Sequence, residues 1–200
     1  MFYQYLKRTV DIFGAVIGII LMAPFYPFIA LAIKIESNGP ALITLDRVSC
    51  GRVIGVYKFR SMKHGAHIEK EKLRHLNERI NGPFFKIKKD PRVTKVGRFL
   101  RSHRIDELPQ IINVLKGELS LVGPRPHEPS EVIHYPPEFR HIILVKSGVT
   151  GLSQVSGASG LKFLEEINLD RAYLKKKSFW FDLKILFKTL YIFLFDATGV

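Results

Sequence analysis

An aspartate and a glutamate stand side by side at Asp106-Glu107, just ahead of Pro109. Leu108, Ile111, Ile112 and Leu115 then recur at i, i+3, i+4 and i+7, the spacing of one apolar helix face. Pro109 suits a first helical turn, where its missing N–H is no loss, and Gly117 suits the C-terminal stop. The pair therefore belongs at a helix N-terminus, where free N–H groups and the dipole stabilise negative charge. Arg101 and Arg104 precede it, and Arg125 follows, held between Pro124 and Pro126. Two readings fit this arrangement. Acidic residues in a first turn are ordinary capping chemistry. Alternatively, the stretch is a phosphate site with an acidic nucleophile. An aspartate can attack phosphorus and form an acyl phosphate. Its neighbouring glutamate can hold Mg2+ on the phosphate oxygens, and the arginines can neutralise the transferring group.

Several elements must position these residues. Residues 41–48 and 53–60 alternate and are rich in Val, Ile and Leu, with Ser49-Cys50-Gly51-Arg52 between them; this predicts a β-hairpin. Period two puts Lys58 and Arg60 on one face. Residues 63–81 are charged, with a thin apolar stripe at Ile68, Leu73, Leu76 and Ile80, which predicts a solvated helix ended by Gly82-Pro83. His64, His67 and His75 show no metal-ligand pattern. Residues 86–104 are strongly basic, with Asp90 as their one acid; this is either a solvated surface or an electrostatic funnel for an anion. The proline-bearing stretch 127–141 reads as loop. The glycine-rich stretch 149–160 reads either as a backbone that approaches a ligand closely or as a plain connector. Residues 161–177 have a helical pattern.

The ends of the chain are apolar. Residues 12–33 carry no charge, enough to span a bilayer as a helix. Pro24 and Pro27 interrupt that run, and both flanks are positive, with Lys7 and Arg8 before it and Lys34 after it. Positive charge prefers the cytoplasmic side. A helix over 11–35 that enters, bends and returns would keep both ends there. Near the other end, residues 178–195 mix aromatics with Lys184 and Lys188. This predicts an in-plane amphipathic helix, with a core-packing helix as the alternative. The chain has 200 residues, enough for one domain with a substantial core. Its net charge of +13 favours anionic partners. The single cysteine, Cys50, excludes an internal disulfide.

DPRVTKVGRFLR, IDELPQIINVLKGELSLVGPRP, VTGLSQVSG and LDRAYLKKKSFWFDLKIL resemble, in order and spacing, the bacterial sugar transferases, the monotopic phosphoglycosyl transferases. The likeness runs from about Lys7 to Leu190. It implies transfer of a sugar 1-phosphate from a UDP-sugar to a polyprenyl phosphate, with UMP released, at the cytoplasmic face of the bacterial plasma membrane. It implies Asp106 as nucleophile and Glu107 as the Mg2+ ligand. Arg101, Arg125, Pro124, Pro126, Lys58, Arg60 and Asp170 would bind substrate or organise the site. KFRSM (58–62) matches a family motif, and LDxxY maps to Leu169, Asp170 and Tyr173. The chain departs from the family at Ala23, where many relatives have Ser, at Asp46-Arg47, and at Ala158, where relatives usually have Arg.

The fold expected is α+β and mostly helical. It is a single monotopic unit over 1–200, with a re-entrant helix over 11–35 and a cytoplasmic, interface-associated catalytic part over 41–200. Both termini are expected in the cytoplasm. The expected partners are UDP-sugar, polyprenyl phosphate and phospholipid, and the pattern leans towards UDP-hexoses. A homodimer is also compatible. A nucleic-acid-binding protein would explain the charge but not residues 12–33, and no nucleic-acid-binding motif is present. A non-catalytic scaffold of the same fold is disfavoured by the intact Asp106-Glu107 pair.

Overall fold

The computed structural model of the protein describes residues 2–79, 82–157 and 160–195. Ile80, Ala158 and both terminal residues, which figure in the readings above, lie outside them. The fold is α+β, and helices take up about half of the chain rather than most of it.

Helices α1 (Phe2–Met22) and α2 (Tyr26–Glu36) meet at 62° around residues 23–25. Pro24 sits in that break. Pro27 is instead in the first turn of α2, where proline is tolerated, so it starts a helix rather than interrupting one. Neither helix alone is long and apolar enough to cross a membrane, although the bent pair together reaches that length and hydropathy. Both ends of the pair are tied to the rest of the protein. At the start of α1, Lys7 Nζ donates to Asp182 Oδ2 (2.7 Å) and to the Val122 carbonyl (2.8 Å). Arg8 donates to the Val114 and Leu115 carbonyls. At the end of α2, the Glu36 carboxylate accepts from the backbone N–H groups of Lys95 and Val96.

Strands β1 (Leu42–Ser49) and β2 (Arg52–Phe59) form the antiparallel hairpin, in register from Leu42↔Phe59 to Ser49↔Arg52. Its two turn residues, Cys50 (φ 52°) and Gly51 (φ 70°), both have positive φ, as a tight two-residue hairpin requires. The helix expected over 63–81 does not form among its described residues, 63–79. Turns occupy the region, with one 3-10 turn at Arg74–Leu76. Of the described stripe, Ile68 and Leu76 are exposed and Leu73 is only half-buried. Without tertiary packing, a short charged helix is marginal.

Helix α3 (Lys95–Ser102) is capped by Thr94, whose hydroxyl oxygen accepts from the Gly97 N–H (2.9 Å). A 3-10 turn (Ile105–Glu107) leads to α4 (Gln110–Lys116), and Gly117 ends α4 at φ 82°. Strand β3 (Ser120–Val122) pairs in parallel with β4 (Gly148–Thr150). Between them lie α5 (Pro129–Val132) and a 3-10 helix (Pro137–Leu144), so the expected loop is partly structured. The glycine-rich stretch is likewise β4 followed by α6 (Leu152–Ser156). Gly148 and Gly151, at its start, face backbone. A Cβ at Gly148 would come 2.1 Å from Gly123 N, and one at Gly151 would come 2.0 Å from Gly123 O. Helices α7 (Phe163–Lys176) and α8 (Phe179–Phe195) complete the fold. Helix α8 buries Asp182 and Ile185 but leaves Trp180, Phe187, Tyr191 and Phe195 exposed.

Candidate active site

The acidic pair, Asp106 and Glu107, lies in a 3-10 turn just ahead of α4 rather than in the first turn of α4 itself, and Pro109 is the N-cap of α4. The turn is set by Arg104, which takes the left-handed conformation (φ 56°), uncommon for a residue with a side chain, and so redirects the chain after α3. The carboxylates are neutralised by a side chain rather than by helix N–H groups. Lys58 Nζ lies 3.3 Å from Asp106 Oδ2 and 2.8 Å from Glu107 Oε1. Lys58 is the penultimate residue of β2, and α4 is held against that strand by Asn113. The Asn113 carboxamide accepts from Tyr57 N (3.0 Å) and donates to the Gly55 carbonyl (2.8 Å) and to Glu118 Oε2 (2.7 Å). A fully buried asparagine thus occupies the free edge of β2 and sets how Lys58 meets the turn.

The electrostatics follow from this contact. Burial alone would raise Glu107, but the charges of Lys58, Arg125 and Arg104 overcome it and hold the carboxyl at about 2. Burial raises Asp106, and Glu107 adds to the rise; Lys58 and Arg101 oppose it without cancelling it. Lys58 is raised, because its two carboxylate neighbours outweigh the burial that would lower it.

A cleft opens beside the pair, lined by Lys58, Glu107, Gln110, Arg125, Pro126 and Gln154 among others. Arg125 is held from α7 at two points. Its backbone N–H donates to Asp170 Oδ2 (3.2 Å), and its Nε lies 3.5 Å from Glu166 Oε1. The same Glu166 oxygen contacts His127 Nε2 (2.8 Å), whose Nδ1 meets the Tyr135 hydroxyl. Pro124 accepts from Gly148 N (2.8 Å), which fixes the start of the Pro124-Arg125-Pro126 loop to β4. Asp170 is fully buried and also accepts from Ser153 Oγ (2.7 Å). Burial pushes it up to about 6, against His127 and the Ser153 hydrogen bond. Its role is to hold the loop that carries Arg125. Arg101 donates from Nε to Ser61 Oγ (2.8 Å), and its charge acts on Asp106.

Arg60 does not join the site. Strand β2 ends at Phe59, and the Arg60 guanidinium turns back to the carbonyls of Ser37 and Asn38 after α2 (2.6 and 2.5 Å). The period-two argument fails there because the strand stops one residue short. Sequence reasoning also missed Asn113, Glu166 and His127. A lone polar residue inside an apolar helical repeat, as Asn113 is, was the signal available for the first.

Among the described residues, no group of three or more Asp, Glu, His or Cys side chains could hold a metal ion by itself. The Asp106-Glu107 pair still fits Mg2+, which commonly takes one or two carboxylates and completes its shell with substrate phosphates and water.

The sequence profile of the family described as bacterial sugar transferase matches residues 2–196. The chain is 41% identical over 200 residues to the galactosyl transferase CpsE of Streptococcus agalactiae serotype III, covering 96% of this chain and 44% of that protein. It is 40% identical over 201 residues to the UDP-glucose:undecaprenyl-phosphate glucose-1-phosphate transferase of Escherichia coli, covering 94% and 40%. It is 38% identical over 196 residues to the undecaprenyl-phosphate galactose phosphotransferase of Salmonella typhimurium, covering 93% and 40%. The chain thus spans about two-fifths of the length of these relatives. With its whole described fold inside the matched region, the chain belongs to the bacterial sugar transferase family.

Proposed function

We propose that the protein transfers a sugar 1-phosphate from a UDP-sugar to a polyprenyl phosphate through a covalent intermediate on Asp106. The observation that carries this reading is the Asp106-Glu107 pair bridged by Lys58, with Asp106 buried behind a cleft that Lys58, Glu107 and Arg125 line. A carboxylate with phosphate-binding cations on either side is suited to attack on phosphorus. The names of the relatives, with undecaprenyl phosphate on one side and UDP-glucose or galactose on the other, agree with it. The name of a further relative includes N-acetylgalactosamine, so the lean towards a UDP-hexose rests on sequence alone.

In the first step an Asp106 oxygen forms a bond to the β-phosphorus of the donor. The bond from that phosphorus to the bridging oxygen breaks, and UMP leaves with that oxygen and the electron pair. In the second step a phosphate oxygen of the polyprenyl phosphate attacks the same phosphorus and frees the Asp106 carboxylate. Lys58 and Arg125 hold the phosphate oxygens, and Arg101 keeps positive charge beside the nucleophile. Glu107, with Asp106 beside it, would hold Mg2+, which supplies further charge neutralisation on the diphosphate.

The acceptor is a lipid, and the exposed faces suit a membrane. Phe13, Ile17, Ile20, Leu21, Phe25, Phe28, Leu31 and Ile35 of the bent pair are all more than half exposed. Moving such side chains out of water contributes about 1.5–3 kcal/mol each. Their sum rivals the whole stability of a typical domain, roughly 5–15 kcal/mol. We infer that the pair enters and leaves one leaflet from the cytoplasmic side, with α8 lying in the interface.

The decisive experiment is UMP release from UDP-sugars by purified protein, with and without Mg2+ and polyprenyl phosphate. Asp106→Asn keeps the shape but lacks the nucleophile, so it should release no UMP and trap no labelled phosphosugar. Sustained turnover by this variant would remove the covalent mechanism.

A further inference from the structure

The reaction derived above leaves Gln110 without a task. Gln110 opens α4, three residues after Glu107 and four after Asp106, with helical backbone at Leu108 and Pro109 between them. That spacing places it on their side of the chain, one turn on. It is only 4% exposed, yet it lines the cleft with Lys58, Glu107 and Arg125. Its carboxamide forms no hydrogen bond with any described residue, whereas the neighbouring Gln154 takes Ser153 Oγ (3.1 Å). Among the described residues the fully buried side-chain atoms without a partner are Ser37 Oγ and Arg60 Nε, so the Gln110 carboxamide, unpartnered, reaches the open cleft. A carboxamide on a cleft wall with no protein partner is free to bond a ligand there.

We propose that Gln110 recognises the sugar of the donor, by hydrogen bonds from its carboxamide to sugar hydroxyls. This rests on the proposed UDP-sugar chemistry. Displacement at phosphorus runs in line, so the departing UMP lies opposite Asp106. The sugar is attached to the same phosphorus through one oxygen and projects sideways. Groups one helical turn from the nucleophile therefore meet the sugar rather than the base. Charge gives the same assignment. The phosphates are matched by Lys58 and Arg125, while a neutral carboxamide offers both a donor and an acceptor, as a hydroxyl does.

The test uses Gln110→Met, which keeps the size of the side chain, and Gln110→Asn, which keeps the amide on a shorter stem. Gln110 has no partner in the fold, so both should match the parent in thermal midpoint. UMP release from UDP-glucose and UDP-galactose is measured, together with the affinity of each and of UDP alone. For Gln110→Met, kcat/KM with the better UDP-hexose should fall about 10- to 100-fold, the effect of leaving a sugar hydroxyl without its partner. The rate ratio between the two hexoses should move towards one, with UDP affinity unchanged. Gln110→Asn should lie between Met and parent. Unchanged rates and affinities would overturn the assignment. So would an equal loss of UDP affinity, which would place the carboxamide on the nucleotide. If the parent releases no UMP from any UDP-sugar, the transferase reading fails on its own. The Gln110 assignment is then decided by binding alone, and must show weaker UDP-hexose affinity at constant UDP affinity.

Discussion

Lys58 is the cation on which both carboxylates depend, since its ammonium contacts Asp106 and Glu107 together. Lys58→Met should lower UMP release on the order of 10²- to 10³-fold, the effect of losing one charge-stabilising group at a reacting centre. It should also change stability with a defined pH dependence. Glu107 is depressed to about 2 in the folded protein, so its favourable contribution is present above its unfolded value of 4.5. That contribution fades as pH falls towards 2. Parent and variant should therefore differ most above pH about 4.5 and converge in acid, as urea unfolding in detergent would show. Asp170 has the opposite sign. Its folded value, about 6, lies above its ordinary 3.8, so its contribution to stability falls as pH rises between the two and is level above that range. Relative to the parent, Asp170→Asn should gain about 2 kcal/mol between pH 4 and pH 7, on top of a constant loss from the altered Ser153 and Arg125 hydrogen bonds. A flat difference across that range would show that Asp170 ionises normally. Residue types alone bring out the pair and its cations. They do not reveal that Arg60 turns away, because one residue of strand length decides which way it faces.

At the scale of elements, the hairpin, α4, α7 and α8 were legible because each has a strong local pattern, whereas α3 went unread inside the basic run despite its Thr94 cap. The hairpin's alternation and the Leu108–Leu115 repeat are examples. The pairing of β3 with β4 was not legible. Each strand has three residues, and they are joined by a long connection, so no local period marks them. The glycines around them do. Gly148 and Gly151 are small because the backbone at Gly123 lies against them, and Gly123 leads directly into Pro124-Arg125-Pro126. Gly148→Ala should therefore push the Arg125 loop out of place or prevent folding. A loss of more than about 3 kcal/mol is expected, since backbone on both sides cannot yield as a side chain would. Gly160→Ala meets nothing within 4 Å and is the matched control, expected to change stability by less than about 0.5 kcal/mol. Limited proteolysis and UMP release distinguish the two. Equal behaviour of both variants would mean that β3 and β4 are not packed this closely. The helix expected over 63–81 failed for the converse reason. Its local pattern is present, but Ile68 and Leu76 of the stripe are left exposed by the fold.

For the whole molecule, the proposed re-entrant path raises the question of what would return the bent pair to the side it enters from. The sequence offers two prolines and two positive flanks. The structure adds contacts at both ends. Tyr3 and Lys7 bond to Asp182 on α8, Arg8 bonds to carbonyls at the end of α4, and Glu36 accepts from the start of α3. Lys7 and Arg8 are therefore fastened to the body that carries the site, so the start of α1 and the cleft share one side of any membrane. A spanning helix would have to break these contacts. It would also strand Asp182 without Lys7 in a buried place, at a cost of about 3–5 kcal/mol. The predicted arrangement has both Tyr5, which is exposed on α1, and Lys177, between α7 and α8, on the cytoplasmic side. With Cys50 replaced by Ser, single cysteines at these two positions should resist a membrane-impermeant thiol reagent until cells are opened. Labelling at Tyr5 alone in intact cells would establish a spanning helix and end the re-entrant reading. The prolines and the contacts can then be separated. Replacing Pro24 and Pro27 by Leu straightens the path but leaves the contacts, whereas Arg8→Leu with Asp182→Asn removes contacts but leaves the bend. If the prolines decide, only the first pair exposes Tyr5 outside. If the contacts decide, only the second pair exposes Tyr5 outside. We expect the second outcome, because Pro27 sits in a first turn that tolerates it, which leaves Pro24 alone to oppose a continuous helix.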